Sequence, residues 1–134
     1  MAMVSKNPLC SWRAVHKPAA GVQATATGTA AVSTFAGTNT SVLVVQDITA
    51  SVASGTNNQA PIAVNLIDGS TGGTNILWSS FVGAGTSASQ YVSLTYLNIK
   101  CPSGLATLEF AAAGGTLASQ SVSMGGYYEG GYWE

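Results

Sequence analysis

Between residues 22 and 127 the chain alternates apolar and polar positions over short runs, broken by clusters of Gly, Asn, Ser and Pro. Period-two alternation puts successive side chains on opposite faces of a strand. The pattern predicts strands at 22–32, 40–53, 62–67, 75–82, 90–99, 105–112 and 117–127. No segment carries an apolar stripe at helical spacing, so the fold class expected is all-β. Short strands at regular spacing, with turn residues between them, are the mark of a single antiparallel β-sandwich, of jelly-roll or Greek-key type.

The individual strands differ in how they meet a core. In "SVLVVQDITASV", Val42, Val44, Gln46 and Ile48 share one face and Leu43, Val45 and Asp47 the other. Its first half must therefore be covered on both sides, as a central strand is. In "QYVSLTYLNI", Val92, Leu94 and Tyr96 are expected to point inward and Tyr91, Ser93 and Thr95 outward. "LASQSVSMGG" offers a single core face, through Val122 and Met124. "VQATATGTAAV" alternates Ala and Thr around Gly28, side chains too small to bury much area, and reads as a weak edge strand open to pairing or covered by the chain's own leader. Asp68-Gly69 and Gly72-Gly73 supply the positive φ of tight turns, which predicts a hairpin joining 62–67 to 75–82.

Composition sharpens this outline. Over 134 residues a sandwich buries roughly two thirds of its unfolded surface, enough for a core without metals or disulfides. Only 7% of residues are charged against 46% hydrophobic, where an ordinary soluble domain has about 25% charged. So little charge protects a surface poorly against association, and implies that much of it is covered by other subunits.

The charges are also segregated. Lys6, Arg13 and Lys17 make the first twenty residues net +3, whereas from Gly21 onward Lys100 stands alone against Asp47, Asp68, Glu109, Glu129 and Glu134, net −4. The chain divides into an extended basic N-terminal arm (1–20), a sandwich domain (21–127) and an aromatic C-terminal tail (128–134), "GGYYEGGYWE" forming the junction and the tail. Three cations are few for nucleic acid, where each phosphate contact adds one step of salt-dependent affinity, so the arm is assigned to a protein surface, through Lys6, Trp12, Arg13 and Lys17. In the tail, Tyr127, Tyr128, Tyr132 and Trp133 are rigid amphipathic side chains of the kind that dominate interfaces, and Gly125-Gly126 and Gly130-Gly131 let the backbone bend to seat them. No membrane is implied: no run approaches the ~18 apolar residues of a span, and no apolar segment precedes Cys10 as in a signal peptide. Cys10 and Cys101 lack a CxxC companion and are expected as free thiols with Cys101 in or near the core, a Cys10–Cys101 bridge being the alternative.

Catalytic chemistry finds little support. The one histidine, His16, lies in the arm, away from any nucleophile in the body. Asp47 and Glu109 are the only strand-borne carboxylates available as a pair; Asp47 is expected to cap a strand end or meet Lys100, and Glu109 to face solvent. "DGSTGG" lacks the further acids of a calcium loop and the Lys-Ser and helix of a phosphate loop, so it is a turn and no cofactor is implied. Sugar binding would use exposed aromatic rings, for which Trp78, Tyr91 and Tyr96 are the candidates; Trp78 is assigned to the core because Ile76 shares its face.

The stretches "PIAVNLIDGSTGGTNILWSSFV" and "LTYLNIKCPSGLATLEFAAAGGTLASQSVSMGGYY" resemble a group of small β-sandwich proteins encoded by tailed bacteriophages, in the Asp-Gly turn, "ILWS", "LNI" and the final "TLEFAAA…QSVS…GY" hairpin. The resemblance covers roughly residues 21–127; the leader and tail depart from it. It implies a non-enzymatic virion structural protein, a capsid cement or decoration protein carried on the outer surface of the major capsid protein lattice. The partners expected are the major capsid protein or other virion proteins and further copies of the chain, with a trimer favoured because shells offer threefold positions. The alternatives are a tail, baseplate or connector protein, or a carbohydrate-binding host-attachment module.

Overall fold

A computed structural model of the chain describes residues 16–36, 42–53, 61–83, 90–115 and 118–129. The described residues form nine strands in order: β1 (His16–Thr27), β2 (Val32–Ala36), β3 (Val42–Ala53), β4 (Ile62–Asp68), β5 (Ile76–Val82), β6 (Gln90–Leu94), β7 (Ile99–Cys101), β8 (Leu105–Phe110) and β9 (Ser119–Glu129). They build two antiparallel sheets. The larger has the order β1-β9-β3-β6, with β7 also paired to β3; the smaller has the order β2-β8-β4-β5. Among the described residues no helix is present. The fold is all-β, as the alternation implies.

The core lies between the sheets because each contributes its apolar face. Leu43, Val45, Ile48, Ala50, Val52, Val122 and Met124 come from the larger sheet, and Val64, Leu66, Ala106, Leu108 and Phe110 from the smaller, in one cluster. Burying each large aliphatic or aromatic side chain contributes about 1.5–3 kcal/mol. Among the described residues Ser33, Thr107 and Gln120 are the buried polar side chains. Gln120, 1% exposed, accepts from the Ala31 amide at 2.9 Å and donates to the Ala112 and Ala113 carbonyls at 2.7 and 3.0 Å. Its amide thus satisfies three backbone groups in connecting segments that no sheet ladder reaches. The Cys101 thiol is free and fully buried. Burial, with a smaller contribution from the Asp68 charge, pushes it up to about 12, so it stays protonated and unreactive.

Four expectations change against this architecture. The strand expected at 22–32 is two: β1 ends at Thr27, Gly28 adopts φ +74° and donates its N–H to the Ala118 carbonyl, and the chain crosses to the smaller sheet as β2. The strand expected at 90–99 also breaks, because Tyr96 takes φ +58°; β6 ends at Leu94 and Tyr96, expected to point inward, is 99% exposed. The arm expected over 1–20 yields residues 16–20 to β1, and the tail expected from 128 yields Tyr128 and Glu129 to β9. Finally, β3 does not keep one phase. Its core residues are Leu43 and Val45, then Ile48, Ala50 and Val52, a slip from odd to even positions accommodated by a bulge between Val45 and Asp47. Ile48 thereby shares the core face with Leu43, not the outer face with Val44. Coverage on both sides of the first half holds, since Val44 is fully buried on the side away from the core.

Candidate functional site on the outer face of the larger sheet

The outer face of the larger sheet is built from small hydroxyls. Antiparallel register lines up Thr25, Ser121, Ser51 and Tyr91 in one row and Gln23, Ser123, Thr49 and Ser93 in the next. Cross-strand hydroxyl contacts within a row hold neighbouring strands, as between Thr49 and Ser93 at 3.4 Å and between Thr27 and Ser119 at 3.0 Å. Tyr91 is 71% exposed at the β6 side of this surface.

One row further along, the pleat is interrupted in two strands, β1 and β3, on either side of β9. β1 carries a register shift between Ala19 and Val22, β3 carries one between Val45 and Asp47, and the segment of β9 lying between them is Met124-Gly125-Gly126. Bulged strands twist and bend locally, and β9 fits between two of them only by having no side chains there. A Cβ on Gly126 would lie 2.0 Å from the Val44 carbonyl oxygen, and one on Gly125 would lie 3.0 Å from each carboxylate oxygen of Asp47. The Gly125-Gly126 pair, expected to bend the backbone toward the tail, instead lets β9 pass between β1 and β3.

The bulges open a hollow of about 570 Å³, whose lining includes Gly21, Gln23, Gln46, Asp47, Ser123 and Gly125. A second hollow of about 300 Å³, lined by Gln46, Asp47, Thr95 and Tyr96, shares two residues with the first. Both Gln46 and Asp47 are exposed, because the two-residue bulge turns successive side chains outward. The Gln46 carbonyl accepts the Leu97 N–H at 2.8 Å, which ties the bulge to the turn carrying Tyr96. A tyrosine in the left-handed region costs about 1–2 kcal/mol, and this hydrogen bond is one of the contacts that hold it there.

The remaining polar groups serve the fold. Asp68 accepts from the Ser103 amide and hydroxyl and from Asn75 Nδ2, pinning two turns. Glu109, expected to face solvent, accepts from the Thr71 hydroxyl at 2.7 Å and the Gly72 amide at 3.2 Å, so it anchors the β4–β5 hairpin. Asp47 and Glu109 stand on different sheets, in β3 and β8, and do not converge as a catalytic pair. Asp47 does not meet Lys100, whose amine lies 3.0 Å from Glu129. Among the described residues, no three His, Cys, Asp or Glu side chains group to hold a metal.

Of the aromatic residues, Trp78 packs against the core, as assigned, but Ile76 does not share its face. A register shift between Leu66 and Ile67 makes Leu77 the extra residue, and Ile76 turns outward at 48% exposure. Tyr127 and Tyr128 lie in β9 and are half-buried, Tyr128 against the core of its own chain. Lys17 lies in β1, opposite Tyr128; Lys6, Cys10, Trp12, Arg13, Tyr132 and Trp133 fall outside the described residues. Sequence reasoning missed Gln46 and Gly125. The slip from Val45 to Ile48 in the apolar pattern of β3 was the available signal for the first.

No protein-family model and no curated protein matches the chain. Among solved structures it is similar to a family two carbohydrate esterase from Cellvibrio japonicus, at TM-score 0.40 and 10% identity, covering 90% of this chain and 33% of the esterase. It is also similar to the K3 adhesin domain of Lys-gingipain from Porphyromonas gingivalis, at 0.37 and 17%, covering 75% and 63% of the two chains. A third likeness is to the CBM36-1 domain of a xylanase from the hindgut metagenome of Trinervitermes trinervoides, at 0.33 and 16%, covering 84% and 78%. The chain thus spans about a third of the esterase, and likeness at these scores carries no inference about activity or ligand.

Proposed function

We propose that the chain is a non-enzymatic structural protein of a bacteriophage virion, a capsid cement or decoration protein attached to the outer surface of the shell. The observation that carries this reading is the pairing of His16 with Glu129 in register. It sets the first strand and the last side by side, so the basic leader and the aromatic end of the chain leave the sandwich from adjacent positions at one corner. Lys6 and Arg13 on one extremity, and Tyr132 and Trp133 on the other, are then tethered within reach of a single patch of lattice. Two weak contacts linked this closely reinforce each other through effective concentration. The low overall charge, and the likeness of residues 61–82 and 94–128 to small phage sandwich proteins, support the same assignment.

The test is co-sedimentation of purified protein with shells that lack it. The full chain is expected to saturate at a copy number proportional to that of the major capsid protein. Removing residues 1–15 or 130–134 is expected to lower occupancy at least tenfold while the β-sheet circular dichroism is unchanged. Saturation at a few copies per particle would assign the protein to the tail or connector, and unaltered occupancy of both truncated forms would refute the proposed attachment.

A further inference from the structure

We propose that the paired hollows over Asp47 form a binding site for a neutral oligosaccharide, in which Tyr96 is the stacking platform and Asp47, Gln46 and Gln23 are the hydrogen-bonding groups. The site is independent of where in a virion the protein sits.

Three observations converge on this ligand class. The first is the set of polar groups. A carboxylate accepts only, whereas the primary amides of Gln46 and Gln23 each donate and accept; both glutamines and Asp47 line the first hollow and are exposed. Vicinal hydroxyls, which donate and accept from adjacent carbons, match such a mixed set. An anion does not: among the described residues the lining carries the Asp47 charge and no cation. A metal ion does not either, because among the described residues Asp47 is the lone acid lining the hollows.

The second observation is the shape of the floor. Gly21 and Gly125 leave backbone where side chains would otherwise stand, so a flat ring can lie against the sheet. Anything larger than hydrogen at Gly125 would press on the Asp47 carboxylate. The two hollows, of about 570 and 300 Å³, meet at Gln46 and Asp47 and fall within the range of small-ligand sites. Two adjoining hollows of that size suit consecutive sugar units, not an isolated one.

The third is Tyr96. It is 99% exposed and held at φ +58°, a conformation that a turn would ordinarily assign to glycine or asparagine. Backbone strain at a solvent-facing ring is the pattern of a side chain retained for contact. The fixed turn, bonded to the Gln46 carbonyl, sets the ring at the end of the groove, where its π-face can meet the C–H face of a sugar.

The experiment uses the full chain on an array of immobilised neutral oligosaccharides (gluco-, manno- and galacto-configured) beside sialylated and sulfated ones. The best neutral ligand is then titrated by calorimetry. Binding to neutral glycans is expected, with at least a tenfold loss in Asp47→Asn and in Tyr96→Gly and retention within about threefold in Tyr96→Phe. Tyr96→Gly separates a site from a folding effect, since glycine relieves the backbone strain and is expected to raise Tm while abolishing binding. Binding confined to acidic glycans, no binding to any, or neutral binding that survives Tyr96→Gly would each overturn the proposal.

Discussion

Gly126 and Gly72 show that a glycine's importance depends on what surrounds it. Gly72 turns left-handed at φ +75° with open space where a Cβ would go, whereas Gly126 has no unusual φ but faces the Val44 carbonyl across a gap that no side chain fits. Gly72→Ala is expected to cost about 1 kcal/mol, the backbone penalty alone. Gly126→Ala is expected to cost about 3 kcal/mol or more, because relief requires β9 and β3 to separate; urea denaturation of the two variants gives the comparison. Cys101 permits a second test at this scale. Its folded pKa lies above the ordinary thiol value, so the protonated form is favoured in the fold, and the associated stability is complete below pH 9 and lost as pH rises from 9 toward 12. In a Cys10→Ser background the native protein is expected to resist iodoacetamide at about pH 8. Its urea midpoint should then fall more steeply above pH 9 than that of Cys101→Ala. The two positions differ in how far the sequence shows them: Gly126 reads there as part of a flexible pair, whereas Cys101 is placed by it in or near the core, where β7 docking beside β3 buries it.

Among the elements, the strands were legible wherever apolar residues recur at every second position, as in Val122 and Met124 or Val64 and Leu66. They were misread wherever the period slips. In β3 the step from Val45 to Ile48 spans an extra residue, and a strict alternation through it assigns Ile48 to the wrong face. The bulge is therefore a requirement of the sequence, since one register cannot bury both halves of the apolar set. Deleting Gln46 removes the extra residue and leaves Val45 and Ile48 two positions apart, the spacing at which a regular strand keeps Leu43, Val45, Ile48, Ala50 and Val52 on one face. The expected outcome is retention of the β-sheet circular dichroism signal and of soluble protein, and Gln46→Ala, which keeps the bulge, is expected to stay within about 0.5 kcal/mol of the parent; loss of soluble protein on the deletion would show that the bulge itself is needed. The split of the first predicted strand at Gly28 has a different origin. β1 and β2 belong to different sheets, and no local pattern distinguishes a kink within a strand from a crossing between layers.

For the molecule as a whole, the main consequence of the topology is that β1 and β9, furthest apart in sequence, are neighbours in space and make one of the most extensive strand pairings. β1 and β9 close the sandwich by pairing along His16–Thr27 and Ser119–Glu129, so these stretches are structural. A chain of residues 16–129 is accordingly expected to unfold within a few degrees of the full protein, whereas removal of residues 1–27, which strips β1 from β9, is expected to lower Tm by more than 10 °C or prevent folding; differential scanning calorimetry checks both. The same topology explains why the arm and tail boundaries drawn from charge and aromatic content fell a few residues inside the sheet. Lys17 and Tyr128 are opposite each other in a ladder, and backbone pairing does not depend on which side chains are carried.

By itself the sequence determined the β class, most strand positions, the β4–β5 hairpin, the core face of β9 and the uncharged surface, because each follows from local alternation, turn chemistry or composition. Only the tertiary structure decided that two bulges and a glycine pair fall in one band across three strands, that Tyr96 stands clear of the core, and that both extremities issue from one corner. Those features depend on which strands become neighbours and in what register, and that is set by contacts between residues more than a hundred positions apart, such as His16 and Glu129.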